Sequence, residues 1–240
     1  MTAITLGHLR DPLHAGCAAA VARVLDAHEV EVDFVDVTAR ELPDMLAAGE
    51  IDLLVSAWLP RDEALLRPGL RAIGELYLPV YSWAATAPLG PVASLGRGDV
   101  AEIVTLPEEE QRLRAALAHL PGLADIPVRL VADEALWDDV AAKAADAPRL
   151  LMLAQPHALF HGDLLHVLEE PRGLLGGEMR ARMLVLDKVA ACADPDMIDE
   201  LSEMMLGNRV MSALDYAIRV EGAEPEDAAE SWQRGRLIPR

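Results

Sequence analysis

Gly49–Leu66 reads GEIDLLVSAWLPRDEALL. Gly49 is a turn residue, Ile51–Ala57 is an apolar run, Trp58 stands where that run stops, and Pro60 closes it. A short apolar run bounded by Gly and Pro is the form of a buried parallel strand. Trp58 then lies at the carboxyl end of a central strand, where open α/β sheets receive their ligands. Only nine residues of the 240 are aromatic, four Trp, three Tyr and two Phe. An indole placed beside a proline at a strand terminus therefore reads as a site residue before it reads as core.

The sequence on either side supports this placement. Residues 3–7 (AITLG) form a first strand, and Asp11-Pro12 precede a helix over 13–28 with Leu13, Cys17, Val21, Val24 and His28 on one face. Val30, Val32 and Phe34 alternate with Glu31 and Asp33, the period of a strand. Thr38 and Glu41 have capping-box spacing ahead of a helix whose buried stripe is Leu42, Met45 and Leu46. Gly49 ends that helix. The order β-α-β-α-β predicts a parallel sheet covered by helices.

Beyond Trp58, residues 62–70 read as a short helix. Leu76–Ala84 reads as an extended aromatic segment whose Pro79 suits an edge or a crossover. The Pro- and Gly-rich stretch APLGPVASLGRG (87–98) marks a lobe boundary. A second β/α series follows, with strands at 102–105, 128–131 and 150–154. Its helices are one opened by Pro107 and Glu108–Glu110, one over 133–145, and one emerging from a loop within 156–168. Met183–Leu186 is extended and returns the chain to the first lobe; helices over 195–206, 208–221 and 225–234 complete it. The expected fold class is α/β in two lobes, residues 1–86 with 187–240 and residues 87–186.

Composition narrows the function. Lys+Arg 21 against Asp+Glu 40 gives a net charge of −19, which argues against nucleic acid or an anionic membrane surface as partner. Two cysteines far apart, Cys17 and Cys192, make neither a disulfide framework nor a zinc pattern, and Cys17 reads as a buried thiol. The first residues lack the pattern of a signal peptide, and no apolar run reaches the roughly 18–20 residues of a membrane span. The expectation is a cytoplasmic chain, or a mature or excised domain of an exported one.

Several residues are candidates for a site. Asp11 and His14 follow the first strand, with helix capping as the competing role for Asp11. Asp62 and Glu63 stand just past Trp58, either as solvated first-turn acids or facing a ligand. Tyr81 and Trp83 share one face of an extended segment, lining a cleft or packing within it. Trp137 lies in an acidic helix and reads as core or lobe surface. His157 and His161 have the i, i+4 spacing that can present two imidazoles to a metal, as in a metal-dependent enzyme, but no His-Glu-x-x-His pattern or nearby Cys accompanies them, and a structural hydrogen bond or a ligand contact is the stronger reading of His157. No nucleophile elbow, phosphate loop or dinucleotide fingerprint is present.

The order of elements, GEIDLLVSAWLP (49–60), QPHALFHGDLLHVLEEPRGLLGG (155–177) and the tail VMSALDYAIRVEGAEPEDAAESWQRG (210–235) together resemble the substrate-binding proteins of glycine betaine and quaternary-ammonium ABC importers. The resemblance covers most of the chain. It implies a type II periplasmic-binding-protein-like fold whose two lobes close by a hinge on a small cation or zwitterion, with a permease as partner and neither cofactor nor catalysis. A quaternary ammonium has no N–H to offer, so aromatic faces are its partners, each worth about 0.5–2 kcal/mol once desolvated. By the resemblance Trp58 is the first-lobe cage tryptophan, and His157 and Phe160 match the family's Pro-His and Phe positions; Asp11, Asp62, Tyr81 and Trp83 complete the expected ligand site. The chain departs from the family pattern at Ala154 and Ala158, where cage tryptophans are common. It departs again at TLPEEEQRL (105–113), which lacks a glycine-rich turn, and at Asp62-Glu63, where a histidine is common. A cytoplasmic sensor on the same fold is the alternative reading.

Overall fold

The computed structural model describes residues 3–142 and 147–237. In chain order the first run comprises β1 (Ala3–Leu9), α1 (Pro12–Ala27), β2 (Glu31–Val37), α2 (Leu42–Ala48), β3 (Leu53–Leu59) and β4 (Leu70–Tyr77). The second comprises β5 (Val80–Ala85), β6 (Ile103–Thr105), α3 (Glu110–Leu117), β7 (Val128–Leu130), α4 (Asp133–Ala142), β8 (Leu150–Gln155), α5 (Ala158–His161) and β9 (His166–Val167). The third comprises β10 (Arg180–Leu186), α6 (Asp187–Cys192), α7 (Pro195–Glu203), α8 (Asn208–Arg219) and α9 (Pro225–Gln233). The first and third runs form one compact unit, Met1–Pro79 with Met179–Arg240, and Val80–Glu178 forms the other. The fold class is α/β, each unit having its own mixed sheet.

The sheet of unit 1 has the order β2-β1-β3-β10-β4. β1 runs parallel to β2 and β3, and β10 runs antiparallel to both β3 and β4. β3 is thus interior to the sheet, and Leu53–Trp58 are all buried, which is why its sequence is a continuous apolar run. Val37, Leu42, Leu46, Ile51, Leu54, Ala57 and Leu184 form one core cluster between α2 and the sheet. Each large side chain of this kind contributes about 1.5–3 kcal/mol on burial. α1 packs against α8 and α9.

Local chemistry sets the helix ends. Asp11 caps α1 by accepting from His14 N at 2.9 Å, with Pro12 in the first turn. Thr38 and Glu41 exchange the two capping-box bonds, Thr38 N to Glu41 Oε2 at 3.1 Å and Glu41 N to Thr38 Oγ1 at 3.3 Å. Gly49 ends α2 at φ 71, a left-handed conformation open to glycine without strain.

In unit 2 the sheet order is β7-β6-β8-β5-β9, with β6 parallel to β7 and β8, and β5 antiparallel to β8 and β9. Val104, Val131, Leu136, Val140, Leu151, Leu153 and Leu159 form a core cluster beneath α4. Arg149, only 2% exposed, donates to Asp139 at 2.9 Å, and Arg129 donates to the same carboxylate at 2.6 Å, tying α4 to the sheet.

The expected elements need four corrections. Residues 62–70 hold one 3₁₀ turn, Glu63–Leu65, and β4 begins at Leu70. The extended segment 76–84 is interrupted: Tyr77 ends β4, Val80 starts β5, and Pro79 stands at the passage between units. The division accordingly follows Pro79 rather than Thr86, and falls before Met179 rather than Asp187. The physical reason is pairing: β5 bonds to β8 of the second sheet and β10 to β3 and β4 of the first. The helix expected within 156–168 is only the four residues of α5, followed by β9. Of the helix expected over 133–145, α4 covers Asp133–Ala142 and the remainder lies outside the described residues. Among the described residues no helix is long and apolar enough to cross a membrane.

Candidate functional site

In unit 1 the site grows out of an irregularity in β3. Across from β10, Ala57 pairs with Arg182 and Leu54 with Leu184, so Val55 and Ser56 face the single residue Met183. This is a β-bulge. Ser56 adopts φ 64, in the left-handed region that costs a non-glycine residue about 1–2 kcal/mol. Its hydroxyl is hydrogen-bonded to the Tyr77 hydroxyl, from the end of β4. The Trp58 indole N–H donates to both oxygens, at 3.2 Å to Ser56 Oγ and 2.9 Å to Tyr77 Oη. Burial pushes the Tyr77 phenol well above its ordinary range, so the hydroxyl stays protonated. Trp58 is 5% exposed, and Tyr77 meets it edge-on at 6.3 Å between ring centroids.

The start of α1 adds a second ring. His14 stacks with Trp58 at 6.0 Å and an interplanar angle of 26°. Its Nδ1 lies 2.7 Å from Asp11 Oδ2, so Nδ1–H donates to the carboxylate and fixes the ring. Nε2 is buried and has no partner among the described residues. In the neutral ring it is an acceptor.

A turn completes the group. Trp58 N donates to Asp62 Oδ2 at 2.7 Å, and Asp62 N returns a bond to Trp58 O at 2.8 Å. Arg61 grips the same carboxylate through Nε at 2.8 Å and Nη2 at 3.1 Å. Its Cζ lies 4.2 Å from the Trp58 ring centroid, so a guanidinium rests on the indole face. The Leu59–Pro60 bond inside this turn is cis. Asp11, Trp58 and Asp62 are therefore brought together, Asp11 through His14 and Asp62 through the main chain of Trp58.

Unit 2 holds the remaining candidates. Tyr81 Oη donates to Glu109 Oε1, and Arg112 Cζ sits 3.9 Å above the Tyr81 ring. Arg112 donates to Glu109 at 3.0 Å and to the Leu175 carbonyl at 2.9 Å. Trp83 is 1% exposed, inside the unit. His157 is extended at φ −162 and caps α5, so it stands before the helix rather than on a shared face with His161. Its Nδ1 accepts from Leu159 N at 3.1 Å, which leaves the hydrogen on Nε2 to donate to Asp133 at 3.2 Å. Phe160 and Trp137 pack on the core cluster of this unit. Among the described residues no group of three His, Cys, Asp or Glu side chains is arranged to hold a metal.

Comparison with known proteins agrees with this architecture. The sequence profile of the substrate-binding domain of the ABC-type glycine betaine transport system matches residues 98–234. The chain belongs to this family. No curated protein sequence matches it. Among solved structures, lactococcal OpuAC in its closed-liganded conformation with glycine betaine aligns at TM-score 0.76 and 16% identity, covering 98% of this chain and 96% of that one. The glycine betaine/L-proline-binding protein ProX of Borrelia burgdorferi aligns at TM-score 0.74 and 15% identity, covering 100% and 97%. A choline-binding protein of an ABC transporter in complex with choline aligns at 0.70 and 16%, covering 97% and 88%. The fold is that of the type II binding proteins, and the chain is a substrate-binding domain of the glycine betaine importer family.

Sequence reasoning singled out Trp58, Asp62 and Tyr81 but passed over Ser56, Tyr77 and Arg61 beside Trp58, and Arg112 beside Tyr81. Ser56 is hidden by the bulge, since a period-2 reading cannot register an extra residue. Tyr77 is far along the chain and meets Trp58 only through β10, which bonds to both strands. Arg61 and Arg112 carried a usable signal: each stands three positions from a partner on the same turn, Arg61 from Trp58 and Arg112 from Glu109.

Proposed function

We propose that the chain captures a small quaternary-ammonium or osmolyte-like solute and presents it, chemically unchanged, to a membrane permease of an ABC importer. The observation that carries the reading is the fixed indole of Trp58. Its N–H is tied to Ser56 and Tyr77, its backbone N–H to Asp62, and it sits at the carboxyl end of an interior strand. An aromatic face held in one orientation binds a cation that offers no hydrogen-bond donor without paying again for ordering the ring. Asp11 and Asp62 supply negative charge beside that ring. Tyr81, His157 and Phe160 are the unit 2 residues we assign to the same solute, on the family resemblance of 155–177 and the aromatic character of β5; Trp83, expected there too, is 1% exposed and packs within the unit instead.

The test is a thermal-shift panel of choline, glycine betaine, carnitine and trimethylamine N-oxide on the purified chain. Stabilisation should follow RT ln(1 + [L]/Kd) for at least one of them. Absence of a shift with every member, at concentrations up to the millimolar range, refutes the assigned solute class.

A further inference from the structure

Tyr77 orients the Trp58 indole, and the main chain around Tyr77 is held by another element. β4 is the last strand of its sheet, and Tyr77 pairs with Ala181 of β10. An edge strand leaves main-chain groups that need cover. Residues 206–208, which are not part of the sheet, supply it. The Leu76 carbonyl accepts from Leu206 N at 2.7 Å and from Gly207 N at 2.9 Å. Leu78 N donates to Asn208 Oδ1 at 3.0 Å, and Asn208 Nδ2 donates to the Leu78 carbonyl at 2.7 Å. One side-chain amide, with its donor and its acceptor, thus satisfies both main-chain groups of Leu78, as a neighbouring strand would.

The place of this clamp gives it a consequence for the site. Leu78 follows β4 directly, and next stands Pro79, which has no N–H to offer, where the chain leaves unit 1. The Asn208 amide therefore ties down the main chain between Tyr77 and that passage. Tyr77 is buried, its hydroxyl is hydrogen-bonded to Ser56, and it receives the Trp58 indole N–H at 2.9 Å. Hydrogen bonds weaken steeply away from their preferred geometry, so a small shift of the main chain at residue 77 loosens the indole. We propose that Asn208 is a positioning residue of the solute site: by holding Leu78 it keeps the Tyr77 hydroxyl on the Trp58 indole N–H, and so keeps the indole face in its binding orientation. It acts through the main chain at 76–78. The inference rests on the proposed solute site at Trp58 and adds to it a residue from the start of α8.

The experiment reads the indole and the affinity separately, on the full chain. The Trp58 indole N–H signal in a nitrogen–proton correlation spectrum is assigned by its loss in Trp58→Phe, and Trp232, on α9 of the same unit, is the internal control. Asn208→Ala should shift or broaden the Trp58 signal and leave that of Trp232 in place. Isothermal titration with choline chloride and with glycine betaine should show affinity reduced at least about fivefold for each probe that the unmodified chain binds. Asn208→Asp has the same shape but sets a carboxylate oxygen against the Leu78 carbonyl, so it should move the signal and weaken binding likewise; it carries the test if Asn208→Ala does not fold. Arg209→Ala, at the exposed neighbouring position, should change neither readout. Melting temperatures establish that each variant is folded.

A Trp58 signal that stays in place in the folded Asn208 variants overturns the proposal, as does an equal change at Trp232 or an equal loss of affinity in Arg209→Ala. Where a probe binds the unmodified chain and the Asn208 variants with the same affinity, the proposed function stands and only the role of Asn208 falls. Where neither probe binds the unmodified chain, the assigned site fails and takes this proposal with it.

Discussion

The contact between Ser56 and Tyr77 should be energetically coupled, and the coupling can be sized from the structure. Tyr77 is 1% exposed and Ser56 2% exposed, and together they receive the Trp58 N–H. Tyr77→Phe removes one hydroxyl from this buried triangle. The Trp58 N–H retains Ser56 at 3.2 Å, so the loss is about one net hydrogen bond, near 1 kcal/mol, rising toward 3 if the serine hydroxyl is left unpaired. Ser56→Ala removes the other oxygen while leaving the left-handed backbone in place, at a similar cost. Once either hydroxyl is gone the shared bond cannot be lost again. The double variant should therefore be less destabilised than the sum by about 1–2 kcal/mol.

Amide hydrogen exchange of the Leu53–Leu59 segment is the suitable assay, because it reports opening of unit 1 without mixing in unit 2. A loss of about 1.4 kcal/mol speeds exchange about tenfold where exchange requires that opening. Additivity within about 0.5 kcal/mol would refute the network as drawn.

Two further outcomes follow from burial. Asp215 is fully buried and accepts from Arg219 Nε at 2.9 Å, the arginine side chain being 8% exposed. Asp215→Ala should destabilise unit 1 by about 3–5 kcal/mol, read as faster exchange in α8, whereas Asp215→Leu with Arg219→Met should recover much of it; a loss below about 1 kcal/mol for the single variant contradicts this. Burial first, and the nearby Asp11 charge second, push the Cys17 thiol far above its ordinary range, while Cys192 is exposed. A disulfide reagent at pH 8 should modify one thiol in the native chain and two in urea; rapid modification of both in the native chain contradicts the placement of Cys17.

Much of the scaffold was legible because its signals are local. β1, α1, β2, α2 and β3 follow from apolar periodicity, a proline, a capping box and one left-handed glycine, and two of the three C-terminal helices have their starts marked by Asp194-Pro195 and Glu224-Pro225. β4 was not legible. LRAIGELY carries charges at Arg71 and Glu75 and a glycine at its centre, features that read against a strand. The structure shows why Gly74 is there: it adopts φ 64, and a Cβ would come within 2.9 Å of the Leu201 carbonyl oxygen, from α7. The passage from unit 1 to unit 2 was misplaced because composition marks the Pro- and Gly-rich stretch 87–98, whereas pairing of β5 with β8 decides the boundary.

The same distinction holds at the site. Trp58 could be singled out because its position depends on the strand that carries it. His14 and Asp62 stand among the candidates because each follows a strand end, whereas Tyr77 could not be singled out, because it reaches Trp58 through sheet order, a property of the assembled fold. The i, i+4 spacing of His157 and His161, the least favoured reading of these residues beside a structural hydrogen bond or a ligand contact, carries no weight for a related reason. It has geometric meaning only inside a helix, and His157 is an extended cap.

The central claim is that the Trp58 indole face holds the solute. Its most direct test is isothermal titration of the best-binding solute from the panel into the unmodified chain, Trp58→Phe and Trp58→Ala. The account predicts that Trp58→Ala loses about 1–2 kcal/mol or more of binding free energy, about 5–30-fold in Kd at the lower bound, while Trp58→Phe retains a larger share because a π-face remains. Equal affinity in Trp58→Ala and the unmodified chain would contradict it.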